Sequence, residues 1–281
     1  MKKGINIWSF KGGTPLIEAM KIAKDAEFQG FEPALNLSGE LSLESSEKEI
    51  LNIKQIAQEI DIKIPSLASG LYWSYNYTSS DKGIVQKAKD ITRKQLEFAK
   101  LLGADTILVV PGSVHTDFIP NCEIIDYDIA YERSLETMLE LKEYAEELKI
   151  NIGIENVWNK FLLSPMEFRN FIDEIDSPYV GAYFDVGNVL PNGFPEHWIK
   201  ILGNRIKKVH FKDFRRSVGN INGFVDLLAG NVDFPKVVKA LENIGYEDYV
   251  TAEVSAYNHP SNHMVYSTSN AMDVILNHSK L

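Results

Sequence analysis

Eight short apolar runs recur along the chain, each followed by a longer amphipathic stretch, and this alternation constrains the fold more than any other feature. The short runs are GINIWS, GFEPAL, KIPSLAS, TILVVPG, NIGIENV, VGAYFDVGN, KKVHFKDF and YVTAEVS. Between them lie TPLIEAMKIAKDAEF, EKEILNIKQIAQEI, DKGIVQKAKDITRKQLEFAKLLG and DIAYERSLETMLELKEYAEELK, whose apolar residues recur at helical spacing beneath charged outer faces. SPMEFRNFIDEI, PEHWIKILG, DFPKVVKALENIG and STSNAMDVILNHS complete the series. Thr14-Pro15, Ser79-Ser80-Asp81, Ser164-Pro165 and Asp233 mark helix starts, and Gly30, Gly103 and Gly245 stand where helices are expected to end. Strands that alternate with helices pair in parallel. Eight such units in 281 residues predict an α/β chain folded as a single (β/α)8 TIM barrel, one domain over residues 1–281, with its site at the C-terminal ends of the strands. The rival, a doubly wound open sheet, places a glycine-rich phosphate loop after its first strand, and SFKGGTP has no G-x-G-x-x-G.

Charge narrows the partners. The 29 basic and 39 acidic residues leave a net charge of −10, which argues against a nucleic-acid backbone and against a polybasic membrane anchor. The lone Cys122 rules out an intrachain disulfide and fits a reducing compartment. MKKGINIWSF places two lysines before an apolar stretch, but Asn6 and Ser9 interrupt it, so it reads as a first strand and not as a signal segment. No run approaches the ~18 apolar residues of a membrane-spanning helix. The expectation is a cytoplasmic protein.

Polar residues at the strand ends carry the chemistry. Glu155 follows a buried-looking run and is flanked by Ile152, Ile154 and Val157, where a carboxylate needs a partner. Asp185 ends the sixth run, His210 lies in the seventh and Glu253 in the eighth, at intervals of 30, 25 and 43 residues, each room for one strand–loop–helix unit. Alone, Asp185 reads equally well as a helix cap, and His210 as a hydrogen-bonded core histidine. Together they put one ligand-type group on each of four consecutive strands. Three converging carboxylates repel one another, and a divalent cation removes that cost. Three carboxylates and one imidazole suit Mn²⁺, Mg²⁺ or Co²⁺ better than a structural zinc.

GIENVWNK, YFDVGN, KKVHFKDF and TAEVS resemble the xylose-isomerase-like sugar epimerases and sugar-phosphate isomerases, a group that includes the ketose 3-epimerases and the pentulose- and hexulose-phosphate 3-epimerases. TSSDKGIVQKA and LLAGNVDFPKVVKALENIGYEDYVTAE extend the resemblance over nearly the whole chain. It implies one divalent ion, Mn²⁺ first and Co²⁺, Mg²⁺ or Zn²⁺ as substitutes, held by Glu155, Asp185, His210 and Glu253, with Glu155 and Glu253 also the acid/base pair. It further implies 3-epimerisation of a sugar or sugar phosphate, and a homodimer or homotetramer. Arg216 is the expected substrate contact, with Arg215 as its alternative. Asn188, a further expected substrate contact, stands where ketose epimerases often carry histidine, and DVGN looks more like the phosphorylated-pentulose branch. Trp8 and Trp158 are expected either to line the sugar pocket or to pack in the core.

Three other functions compete. A DNA-repair phosphodiesterase on the same barrel needs several more histidines than SLASGLYW and DVGN provide. A metal-dependent dehydratase or lyase would use the same ligands. A non-catalytic sugar-binding protein would not need a base on each face.

Overall fold

The computed structural model describes residues 1–259 and 262–277. The last two residues of the expected final helix, 278 and 279, lie outside them. The strands are β1 (Lys2–Asn6), β2 (Gly30–Glu32), β3 (Ala34–Leu35), β4 (Ser66–Ser69), β5 (Thr106–Val109), β6 (Asn151–Glu155), β7 (Val180–Asp185), β8 (Ile206–Phe211), β9 (Asp213–Phe214), β10 (Phe224–Val225) and β11 (Tyr249–Ala252). The helices are α1 (Leu16–Asp25), α2 (Glu47–Glu59), α3 (Lys82–Leu102), α4 (Tyr127–Leu148), α5 (Pro165–Ile175), α6 (Pro195–Leu202), α7 (Phe234–Asn243) and α8 (His263–Ile275).

Nine of these strands form one parallel sheet in the order β2-β1-β11-β8-β7-β6-β5-β4-β3. Its two ends are two halves of one stave. Pro33 has no N–H to give to a ladder and divides that stave into β2 and β3. Phe31 N–H donates to the Lys63 carbonyl and Ala68 N–H to the Pro33 carbonyl, so both halves are tied to the segment around β4 and the ring closes. The result is the predicted TIM barrel, with β6, β7, β8 and β11 as its fifth to eighth staves.

Side chains alternate across each stave with a period of two. Ile5, Phe31, Ile107, Ile154, Phe184, Val209 and Val250 face the helical ring, and all are fully buried. On the other face, Ala34, Ala68, Leu108 and Tyr183 form a small apolar cluster of their own inside the barrel. A Cβ at Gly153 would stand 3.0 Å from the Tyr183 side chain, so glycine on β6 leaves the lumen room for that ring.

Most helix starts follow the sequence signals. The Asp81 side chain accepts from the Gly83 and Ile84 N–H groups, that of Ser164 from Glu167 and that of Asp233 from Lys236. Ser46 and Glu49 form a reciprocal capping box at α2. Gly103 ends α3 in the left-handed region at φ 83°. Gly30 does not end a helix. It opens β2, and the left-handed residue after α1 is Glu27, at φ 64°. What Gly30 provides is clearance, because a Cβ there would meet the Tyr249 ring at 2.6 Å. Beyond β8 the chain forms a short antiparallel pair, β9 with β10, which the alternation did not announce. No helix among the described residues is long and apolar enough to cross a membrane.

Candidate metal centre

Glu155 is the last residue of β6, Asp185 the last of β7, His210 lies one residue from the end of β8, and Glu253 follows β11 directly. All four share the inward parity, so the barrel gathers them at one level. One ligand atom from each lies within 4.8 Å of the other three. His210 Nδ1 stands 3.0 Å from a Glu253 oxygen, 3.7 Å from Glu155 Oε1 and 3.9 Å from Asp185 Oδ2. Donors held about 2.0–2.4 Å from a common ion can be no further apart than roughly twice that.

The decisive detail is what these atoms lack. Glu155 Oε1, Asp185 Oδ2, His210 Nδ1 and Glu253 Oε2 are buried and make no hydrogen bond of acceptable geometry. Buried polar atoms nearly always make hydrogen bonds, and four without one, crowded at one point, fit a cation. The residues present therefore fit a divalent ion with oxygen and imidazole ligands.

The surroundings fix each ligand. Asn188 N–H donates to Asp185 Oδ1 at 2.8 Å, which leaves Oδ2 for the centre. Asn156 clamps the same residue's backbone, accepting from Asp185 N–H and donating to its carbonyl, both at 2.8 Å. Glu32, buried on β2, holds His210 Nε2 at 2.7 Å, so that nitrogen is committed to Glu32 and Nδ1 turns toward the three carboxylates. Glu32 in turn accepts from Ser66 Oγ at 2.6 Å, from the Tyr183 hydroxyl at 2.5 Å and from Asn6 Nδ2. Lys212 completes the set. Its ammonium lies 2.7 Å from Glu253 Oε1 and 3.2 Å from Asp185 Oδ2.

Sequence reasoning missed Glu32 and Lys212, although both carry the signal that exposed Glu155. Glu32 interrupts the apolar run GFEPAL, and Lys212 stands two residues beyond His210 on the same face. The expected substrate residues divide. Trp8, Trp158 and Asn188 line a cavity of about 350 Å³ that also contains Glu155, Glu253 and Lys212. Arg216 lies off that cavity. Its guanidinium donates to the Leu190 and Gly193 carbonyls at 3.1 and 3.0 Å and stacks on Phe194. Arg215 Nε donates to the Ala229 carbonyl.

Electrostatics separates the two glutamates. Burial, with help from the charge on Glu253, pushes the Glu155 carboxyl up to about 7. Burial would raise Glu253 as well, but Lys212 and His210 override it and hold that carboxyl at about 2. Burial disfavours the charged ring of His210, yet the Glu32 carboxylate and the neighbouring glutamates raise it well above the ordinary histidine value. Without an ion, then, His210 holds a proton on each nitrogen at neutral pH, and Glu155 gains one as pH falls through about 7. A cation must displace the His210 Nδ1 proton, and below pH 7 the Glu155 proton too. Metal affinity is therefore expected to rise from pH 6 to pH 8, with more protons released per ion at pH 6. Calorimetry in buffers of different ionisation enthalpy measures both, and equal affinity at the two pH values would contradict the assignment.

A family model described as Xylose isomerase-like TIM barrel matches residues 20–273. The chain belongs to that family. An L-ribulose 3-epimerase of Methylomonas sp. is 26% identical to it, over 71% of this chain and 67% of that relative. A D-psicose 3-epimerase from Clostridium cellulolyticum H10, solved with D-tagatose, superposes with a TM-score of 0.83 at 19% identity, covering 99% of each chain. An IOLI protein solved with a bound zinc atom superposes with a TM-score of 0.79 at 18% identity over the whole of both chains.

Proposed function

We propose that the protein is a divalent-metal-dependent isomerase that inverts C3 of a ketose through a cis-enediolate, with Glu155 and Glu253 as the acid/base pair. The observation that carries the reading is the set of four buried ligand atoms that converge without a hydrogen bond of acceptable geometry. Its outermost members are two glutamates, with the Asp185 and His210 staves between theirs. A proton α to a ketone is weakly acidic, and a divalent ion in this site, Mn²⁺ first, supplies the Lewis acidity that stabilises the charge left when that proton departs.

The chain's own residues do the rest. One glutamate takes the C3 proton, and the other returns a proton to the opposite face of the planar intermediate. The reverse substrate uses them in the opposite order. Lys212, beside Glu253 at the cavity wall, keeps that carboxylate ionised and offers N–H donors to a substrate oxygen. Trp8, Trp73 and Trp158 wall the same cavity and keep bulk water from the intermediate. Glu32, Asn156 and Asn188 hold the ligands in register.

The test is isotope wash-in. The Mn²⁺-loaded protein in D₂O is expected to place deuterium at C3 of a ketose while its C3 epimer accumulates. Loss of water instead would identify a dehydratase. Absence of exchange from a panel of ketoses and ketose phosphates, with metal shown to be bound, would reject catalysis and leave a sugar-binding protein.

A further inference from the structure

A second chamber of about 440 Å³ adjoins the metal-side cavity, and Phe118, Val157, Trp158, Asn188 and Ile221 line both. Each volume alone falls in the ~300–1,000 Å³ range of sites for whole organic ligands, whereas a bare sugar needs only the first. Phe161, Leu162, Leu163, Val189, Pro191 and Trp198 make the far chamber largely apolar.

This chamber is built. One wall is the loop after β6, where Lys160 and Leu162 take left-handed backbone at φ 54° and 53°. Such conformations cost about 1–3 kcal/mol each in a bulky residue and persist only where the surroundings impose them. Here they do. Asn159 Nδ2 donates to the Gly112 carbonyl at 2.7 Å, and Val114 N–H donates to the Asn159 carbonyl at 3.0 Å. Leu162 N–H donates to the Tyr127 hydroxyl at 3.1 Å and Leu163 N–H to Glu167 at 2.9 Å. The facing wall is fixed by Arg216, whose two bonds to the Leu190 and Gly193 carbonyls anchor the loop after β7. Hydrogen bonds from several elements thus fix both walls of the chamber.

Its charge inventory weighs against a phosphate end group. Lys160 lines the far chamber but is paired with Asp117 at 2.7 Å. Lys212 lines the near one but is shared between Glu253 and Asp185. Among the described residues no other lysine or arginine lines either chamber.

From this juxtaposition we infer that the substrate is an unphosphorylated ketose carrying an apolar substituent at the end of the chain remote from C2 and C3, with the substituent seated in the second chamber. The inference rests on the epimerase reading, because the reacting carbons occupy the metal side.

Three sugars decide it: a ketohexose, its 6-phosphate and its 6-O-benzyl ether, each assayed for C3 exchange with the Mn²⁺-loaded protein. The benzyl ether is expected to exceed the free ketose in kcat/KM by about tenfold or more, the usual worth of filling an apolar pocket. The 6-phosphate is expected to be the poorest. Asn192→Trp, at the exposed rim of the far chamber, should remove the advantage of the benzyl ether and leave the free ketose unchanged. Saturation transfer from the Mg²⁺-loaded protein to the benzyl ring protons gives a readout independent of turnover, and Asn192→Trp should abolish it. A preferred 6-phosphate, a benzyl ether no better than the free ketose, or absent ring saturation would overturn the inference. Ring saturation with no C3 exchange from any of the three would instead overturn the epimerase reading and leave the chamber's ligand class standing.

Discussion

Replacing Glu155 or Glu253 by glutamine is expected to lower turnover by about 10²–10⁴-fold, the usual worth of a positioned acid/base group. Each substitution keeps the side chain's size and one oxygen ligand, so metal affinity should fall only in part, with three other donors still in place. The two variants should differ in kind. Glu155 and Glu253 flank the centre from the two outer staves of the four, so each variant should lose proton exchange from one epimer more than from the other. They should differ in metal binding as well. Glu253 holds Lys212 at 2.7 Å, and Glu253→Gln leaves that ammonium to Asp185 alone, drawing charge from the centre. Glu155→Gln removes a carboxylate that burial already disfavours. Isotope wash-in from each epimer separately, with metal affinity measured by calorimetry, resolves these effects. Near-normal exchange from both epimers in both variants would show that neither glutamate moves the proton.

Those two glutamates were legible from the chain because they break a pattern. A carboxylate at the end of an apolar run has few structural explanations, and the same break on four successive strands has fewer. The barrel was legible for a related reason: a period of two alternating with a period of 3.6, eight times over, leaves little choice of topology. What stayed hidden depends on contacts distant in sequence. Glu32 breaks its run just as Glu155 does, but its partners are His210, Ser66, Tyr183 and Asn6, and only closure of the ring brings them together. Lys212 sits inside a motif whose histidine drew the attention. Gly30 looked like a helix stop because glycine most often marks one, whereas its actual constraint is the Tyr249 ring on the adjoining part of the barrel. Arg216 follows β8 as expected, yet its guanidinium is taken by two carbonyls of the neighbouring loop. Spacing placed the loop and could not say which way the side chain turned. The second chamber was invisible for the same reason, since its walls come from the loops after β5, β6, β7 and β8.

Glu32 gives the largest expected effect on the folded protein and on metal binding. Its carboxylate is fully buried and serves two pairs of donors: Oε2 accepts from His210 and Asn6, and Oε1 from Ser66 and Tyr183. Burial opposes its ionisation, but the His210 charge and these hydrogen bonds hold its pKa below the ordinary glutamate value. Glu32→Ala removes one partner of a buried pair and is expected to cost about 3–5 kcal/mol. Glu32→Gln should fold far better. Its amide oxygen can face His210 and Asn6 while the NH₂ group turns to Ser66 and Tyr183, whose hydroxyls can rotate to accept. What glutamine cannot supply is the charge. The His210 pKa should fall, so the protein should release fewer protons per ion near neutral pH. The imidazole also loses the carboxylate that orients it and raises its basicity, which should weaken metal binding by about 10–100-fold. Denaturant unfolding of both variants without metal, and calorimetric titration of the glutamine variant with Mn²⁺, measure these effects. Unaltered affinity and unaltered proton release in Glu32→Gln would mean that the barrel alone holds His210 in place and that Glu32 serves only the packing of the lumen.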